Sequence, residues 1–123
     1  MADVFNITFD ARDPRHLAAF WSAAVGGTIA EVRDDFARVI AAGDGAPNLL
    51  FIQVDDPTPG KNRIHIDLAA DDVTAEATRL VELGAGAADV TPDGAFAWRE
   101  ANGIPWLTLA DPEGNEFCIG GRP

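Results

Sequence analysis

Lys61-Asn62-Arg63-Ile64-His65-Ile66-Asp67-Leu68 is the stretch on which the reading of this chain turns. Side chains two apart in a strand share a face. A strand over Ile64 to Ala69 therefore puts Ile64, Ile66 and Leu68 on a core side and turns His65 and Asp67 to the other. The opening of the chain, Asn6-Ile7-Thr8-Phe9-Asp10-Ala11-Arg12-Asp13, runs in the same register at an offset of 59 (65 − 6), with Asn6 against His65, Ile7 against Ile66 and Asp13 against Asp72. Each copy then enters a helix that ends at glycine.

Outward from these two copies the same order of elements repeats. In the first, Val4 to Asp10 alternates Phe5, Ile7 and Phe9 with polar residues, the period of a strand with one buried face. Asp13-Pro14 starts a helix as N-cap and first helical residue, and Leu17, Phe20, Trp21, Ala24 and Val25 form its apolar stripe before Gly26-Gly27. Strands are expected over Thr28 to Arg33, Phe36 to Ala42 and Leu49 to Val54, and His16, in the first turn of the helix, is expected on the surface. Asp55 to Asn62, with two prolines and a glycine, is a linker. In the second copy a helix from Asp71-Asp72 carries Val73, Ala77, Leu80, Val81 and Leu83 up to Gly84. Strands are expected at Ala87 to Thr91 and, on a weaker pattern, Phe96 to Glu100. Trp106 to Ala110 and Asn115 to Ile119 form a hairpin across Asp111-Pro112-Glu113-Gly114, whose Asp, Pro and Gly suit a type I turn. The predicted pattern is βαβββ twice, in one domain over 1–123: module one at 3–55, linker at 56–62, module two at 63–121.

Composition bounds the function. A chain of 123 residues buries a core without disulfides, and its one cysteine, Cys118, permits none internally. A net charge of −11 excludes nucleic acid and anionic membranes as partners, since both demand a cationic face, and favours neutral or cationic ligands. The first residues lack a basic region followed by an apolar run, so the expected compartment is the cytoplasm. Asn6-Ile7-Thr8 matches a glycosylation acceptor but lies within a strand.

Each module has one helix for a sheet of about four strands, so one face of each sheet is left open unless a second sheet meets it. Two such modules enclose a cleft, and the residues that alternate away from the helices are its expected lining: Asn6, Thr8, Asp10, Phe51, Gln53, His65, Asp67, Glu116 and Cys118, with Trp98 and Trp106 as a roof. Other readings of these residues stay open. On these readings His65 is a polar residue at the edge of a core, Asp67 and Glu116 are structural carboxylates, Cys118 is a small buried hydrophobe, and the tryptophans are core.

The paired modules, the strand-Asp-Pro-helix-Gly opening, Asn62 to Leu68 and the closing Asp111-Pro112-Glu113-Gly114-Asn115-Glu116-Phe117 together resemble a glyoxalase-like domain of the vicinal oxygen chelate superfamily, across essentially the whole chain. The resemblance implies an α+β fold in which two βαβββ modules form a cup-shaped mixed sheet with helices outside, around a small-molecule or metal site. In metal-using members one ligand comes from the first and one from the last strand of each module. By register those positions are Asn6, Gln53, His65 and Cys118, with Glu116 one pleat away. Only His65 is a standard ligand there, because amides are weak neutral donors. The expectation is therefore no metal, or a divalent ion on His65 and Glu116, with Asp10 and Asp67 of the right parity to assist. Two functions follow. One is a protein that holds a neutral or cationic small molecule between the modules, as antibiotic-sequestering relatives do. The other is a metal-dependent lyase or isomerase of the glyoxalase type in which Glu116 moves a proton. Free sheet edges point to a homodimer.

Overall fold

The computed structural model describes residues 1–122; residue 123, the end of the domain expected over 1–123, lies outside the described residues. The chain divides into two units, Met1–Pro59 and a second that begins at Gly60.

The first unit is built on the helix that Asp13 and Pro14 start. The Asp13 carboxylate accepts the His16 amide at 3.1 Å, and Pro14 opens α1 (Pro14–Val25). Gly26 closes it at φ 71°, a left-handed conformation that costs glycine nothing. Around it run β1 (Asn6–Ala11), β2 (Thr28–Val32), β3 (Phe36–Ile40) and β4 (Asn48–Gln53), in the order β1-β4-β3-β2, with β1 parallel to β4 and the other pairs antiparallel. Leu17, Phe20 and Trp21 of α1 are buried with Ala37 and Val39 of β3 and Leu49 and Phe51 of β4. The Phe9 ring lies 5.6 Å from Trp21 and 5.0 Å from Phe51, so the odd-numbered side chains of β1 and β4 face the helix.

The second unit repeats this plan. Asp72 caps α2 (Val73–Glu82) by accepting the Ala75 amide at 3.0 Å. Its sheet has β5 (Asp67–Ala70), β9 (Glu116–Gly121) and β8 (Ile104–Ala110) in the order β5-β9-β8, with β5 parallel to β9. The outer edge of β8 is covered in two pieces. β6 (Gly86–Ala87) pairs with Leu109 and Ala110, and β7 (Arg99–Ala101) pairs with Ile104 to Trp106. The core contains Ala77 and Leu80 of α2 with Leu107, Leu109, Phe117 and Ile119. The expected α+β class and the doubled βαβββ order are both present. No helix among the described residues is long and apolar enough to cross a membrane.

Five expectations need correcting. Phe5, expected on the buried face of a first strand from Val4, lies before β1 and is 67% exposed. The strand expected from Ile64 begins only at Asp67. The Asn62 side chain explains this: its Nδ2 donates to the Glu116 carbonyl at 3.1 Å and its Oδ1 accepts the Glu116 amide at 3.0 Å. An amide side chain thus fills the position of a neighbouring strand, and Ile64, expected in the core, is 82% exposed. Instead of one strand over Ala87 to Thr91, regular pairing ends at Ala87: the Ala88 and Asp89 amides still donate to the Thr108 carbonyl, Val90 bridges Phe96 across a short hairpin that turns between Thr91 and Ala95, and the chain pairs with β8 again at Arg99. Val81 and Leu83, expected in the buried stripe of the second helix, are exposed. Finally, Phe51 is fully buried on the helix side of its sheet and is core, not a lining residue. Gln53 shares its parity, and the β4 residues on the same face as Asn6, Thr8 and Asp10 are Asn48, Leu50 and Ile52.

Candidate functional site

The face of the second sheet turned away from α2 is a grid set by strand register. Asp67, Cys118 and Thr108 lie side by side across β5, β9 and β8, and Ala69, Gly120 and Trp106 form the next row. Leu107, Leu109, Phe117 and Ile119 point the other way, into the core. Where Ala69 and Gly120 offer almost no side chain, a cavity of about 420 Å³ opens, bounded by Trp106, Cys118, Asp67 and His65 as well. Its walls are mainly apolar and its polar groups sit at one end.

At that end His65 Nδ1 lies 2.9 Å from Asp67 Oδ1, with the two side chains 48% and 73% exposed. The Cys118 thiol is half-buried and 3.8 Å from the Thr108 hydroxyl. Burial pushes its pKa up, the Thr108 contact opposes this, and the nearby carboxylates of Asp67, Asp89 and Glu116 raise it further, so the thiol keeps its proton.

Trp106 is held from the side opposite the cavity. Its strand partner on β7 is Arg99, whose guanidinium lies 5.2 Å from the ring centroid. Arg99 is in turn anchored on Asp89 at 2.9 Å, and the other Asp89 oxygen accepts the Thr108 amide at 3.1 Å. Burial alone would raise the Asp89 carboxyl, but bonds from Thr108 and Arg99 outweigh it and hold it below the usual range. The carboxylate thereby takes a backbone donor at the gap between β6 and β7.

Of the residues expected in the site, the structure brings together His65, Asp67, Cys118 and Trp106. Glu116 shares their face but lies 3.7 Å from Lys61. Trp98 sits edge-on to Phe96, with centroids 6.1 Å apart, and does not border this cavity. Asn6, Thr8 and Asp10 stand on the first sheet's face away from α1, where the Asn6 side-chain oxygen is shut off from solvent without a hydrogen-bond partner among the described residues. Sequence reasoning missed Ala69, Gly120, Arg99 and Asp89. A signal existed for one of them: a glycine within a strand marks a place where something else comes close.

For a metal, the donor atoms of His65, Asp67 and Cys118 all lie within 4.8 Å of one another. Tetrahedral zinc bonds of about 2.0–2.3 Å set neighbouring donors roughly 3.3–3.8 Å apart, so a closure of about 1 Å is needed. An imidazole, a carboxylate and a thiolate with one open position suit zinc, and the thiol disfavours harder ions. The group differs from the expected pair, since Asp67 and Cys118 stand with His65 where Glu116 was expected.

A parallel first and last strand around one helix, repeated twice, is the βαβββ pairing of the vicinal oxygen chelate proteins. A family model for the glyoxalase-like domain matches residues 6–120, and the chain belongs to that family. It is similar in structure to a glyoxalase/bleomycin resistance protein/dioxygenase family enzyme from Burkholderia phytofirmans PsJN, at 19% identity over 98% of each chain and a TM-score of 0.79. The oxidase ChaP-H2 covers 100% of this chain with 95% of its own, at 18% identity and a TM-score of 0.73. A bleomycin resistance determinant encoded on the transposon Tn5 has 19% identity, 98% coverage of both chains and a TM-score of 0.65. Identities this low establish a shared fold and no shared chemistry. No curated protein matches the chain.

Proposed function

We propose that the protein binds a small neutral or cationic organic molecule in the pocket of its second unit and holds it without converting it. The observation that carries this is the cavity itself: about 420 Å³, bounded by Trp106, Ala69 and Gly120 with a polar corner of His65, Asp67 and Cys118. That volume and that mixture of an apolar wall with a few convergent polar groups are usual for small-molecule sites. The net charge of −11 disfavours anionic ligands on balance. A binding role suits a pocket whose thiol is protonated and whose neighbouring carboxylate, Glu116, is paired with Lys61, and the Tn5 protein of similar fold is named a bleomycin resistance determinant. The test is chemical-shift mapping of the labelled protein against a library of small neutral and cationic molecules. Shifts clustered on Ala69, Trp106, Cys118 and Gly120, and lost in Trp106→Ala, are expected. Hits that map elsewhere, or that survive in Trp106→Ala, would place the site outside this pocket.

A second reading, a metal-dependent lyase or isomerase, is favoured by the His65, Asp67 and Cys118 group. A divalent ion held there would polarise a carbonyl of the ligand. Glu116, two residues from Cys118 on the same face, would then move a proton. Elemental analysis separates the readings. On the binding reading, purified protein carries well under one equivalent of transition metal and chelation leaves the melting temperature unchanged. Stoichiometric zinc, nickel or iron, lost together with stability on chelation, would transfer the assignment to the enzyme.

A further inference from the structure

Resting on the binding reading, we infer that the ligand is a flat aromatic amine, with its ring in the slot between Trp106 and the Ala69–Gly120 floor and its ammonium group on Asp67. The slot follows from the register row Ala69, Gly120, Trp106, in which a methyl and a hydrogen lie beside an indole. A planar group can lie on that floor edge-on or flat to Trp106, where a bulky aliphatic one meets the ring. The opposite side of the indole is already taken by Arg99, on the far strand and pinned by Asp89, so Trp106 is a fixed wall and the ring does not collapse into the cavity.

The charge follows from what borders the cavity. Among the described residues Asp67 is its one carboxylate, and no lysine or arginine lines it. His65 engages Asp67 Oδ1, while Oδ2 has no partner among the described residues. Asp67 stands two strands and two residues from Trp106, about 12 Å between Cα atoms. After the indole has filled part of that span, what remains suits an amine on an arm of roughly two or three bonds. The ring and the charge are thus read by different residues, Gly120 and Ala69 setting shape and Asp67 setting sign.

Three compounds with one ring and one arm isolate these terms: tryptamine, 3-ethylindole and indole-3-propionate, titrated by calorimetry into the full chain. Tryptamine is expected to bind about fivefold tighter than 3-ethylindole, the worth of one partly exposed ion pair, and tighter still than the propionate. Asp67→Asn should bring tryptamine level with 3-ethylindole, and Ala69→Leu, which fills the floor from an exposed strand position, should weaken all three. Gly120→Ala serves as a second floor variant should Ala69→Leu fold poorly. If all three compounds bind alike, or the propionate binds best, and Ala69→Leu still weakens them, the pocket stands and the aromatic-amine assignment is overturned. Binding that ignores both floor variants overturns the assignment and the pocket together, and no binding by any of the three overturns the assignment alone.

Discussion

Cys118 is a thiol that its surroundings keep from reacting. Burial comes first among the causes, and three carboxylates nearby add to it against one hydroxyl contact. Labelling by iodoacetamide at mildly alkaline pH should accordingly run slower than labelling of free cysteine; a rate equal to or above that of the free thiol would show an activated nucleophile and revive the catalytic reading. The same shift has a thermodynamic consequence. A thiol whose folded pKa is raised contributes stability that is fully present below the unfolded value of about 8.5 and is lost as the pH rises through the folded value. Denaturant midpoints measured upward from pH 8 should therefore fall more steeply in wild type than in Cys118→Ala, and parallel profiles would refute the shift. His65 makes the opposite case. Its side chain is 48% exposed and its partner Asp67 is more exposed still. His65→Ala should cost roughly 1 kcal/mol or less. A loss of several kcal/mol would mean an imidazole bonded into the core and a site elsewhere.

Among the elements, the β8–β9 hairpin shows how far sequence chemistry reaches. Asp111-Pro112-Glu113-Gly114 reads as a tight turn, and the structure adds what the turn signal leaves out: the Asp111 carboxylate is buried and accepts from the Glu113 and Asn115 amides at 2.9 Å and from Asn115 Nδ2 at 2.8 Å. Asp111→Ala strands those donors and should cost about 2–3 kcal/mol, visible as a lower urea midpoint at unchanged m-value; a change under about 0.5 kcal/mol would mean that water replaces the carboxylate. What was legible shares one property, in that short-range chemistry decides it. The cap pairs Asp13-Pro14 and Asp72, the glycine after the first helix and the alternation of β1 from Ile7 onward all belong to this kind. What was illegible depends on partners distant in sequence. Leu49 to Ile52 is apolar without alternation, so only its neighbours β1 and β3 settle that Phe51 faces the helix. Nothing local announces that the Asn62 side chain will stand in for a strand beside Glu116. The split edge has an arithmetic trace: the caps Asp13 and Asp72 are 59 apart, but Arg38 and Thr108, each beside the last strand of its unit, are 70 apart. The eleven extra residues (70 − 59) match the excursion over 88–98 between β6 and β7. In the site, His65 and Asp67 were expected on one side of a strand and do pair, although His65 precedes β5, whereas the pocket beside them is made by side chains that are missing, at Ala69 and Gly120, and a missing side chain gives no positive signal.

At the scale of the whole molecule the open question is whether one chain suffices. All five residues of β2 are exposed along an unpaired edge, Ile29 and Val32 among them. On the face of the same sheet away from α1, Ile40 and Ile52 are exposed and Phe36 and Leu50 only half-buried. A free edge beside an apolar face is what a second copy of a chain covers, and a closed two-fold pair is the commonest way of covering it. Charge opposes this: −11 on one chain becomes −22 on two, a repulsion that salt screens over roughly 10 Å at 0.1 M. The apolar contribution does not weaken with dilution of salt, whereas the repulsion grows. We therefore predict a homodimer at physiological ionic strength that dissociates more readily as salt is removed. Light scattering behind a sizing column at micromolar protein decides it. A mass near twice the 13.0 kDa chain is expected. A mass of one chain at physiological salt would sink the prediction, and a dimer that tightens as salt is withdrawn would show that ion pairs, and not the apolar face, hold it.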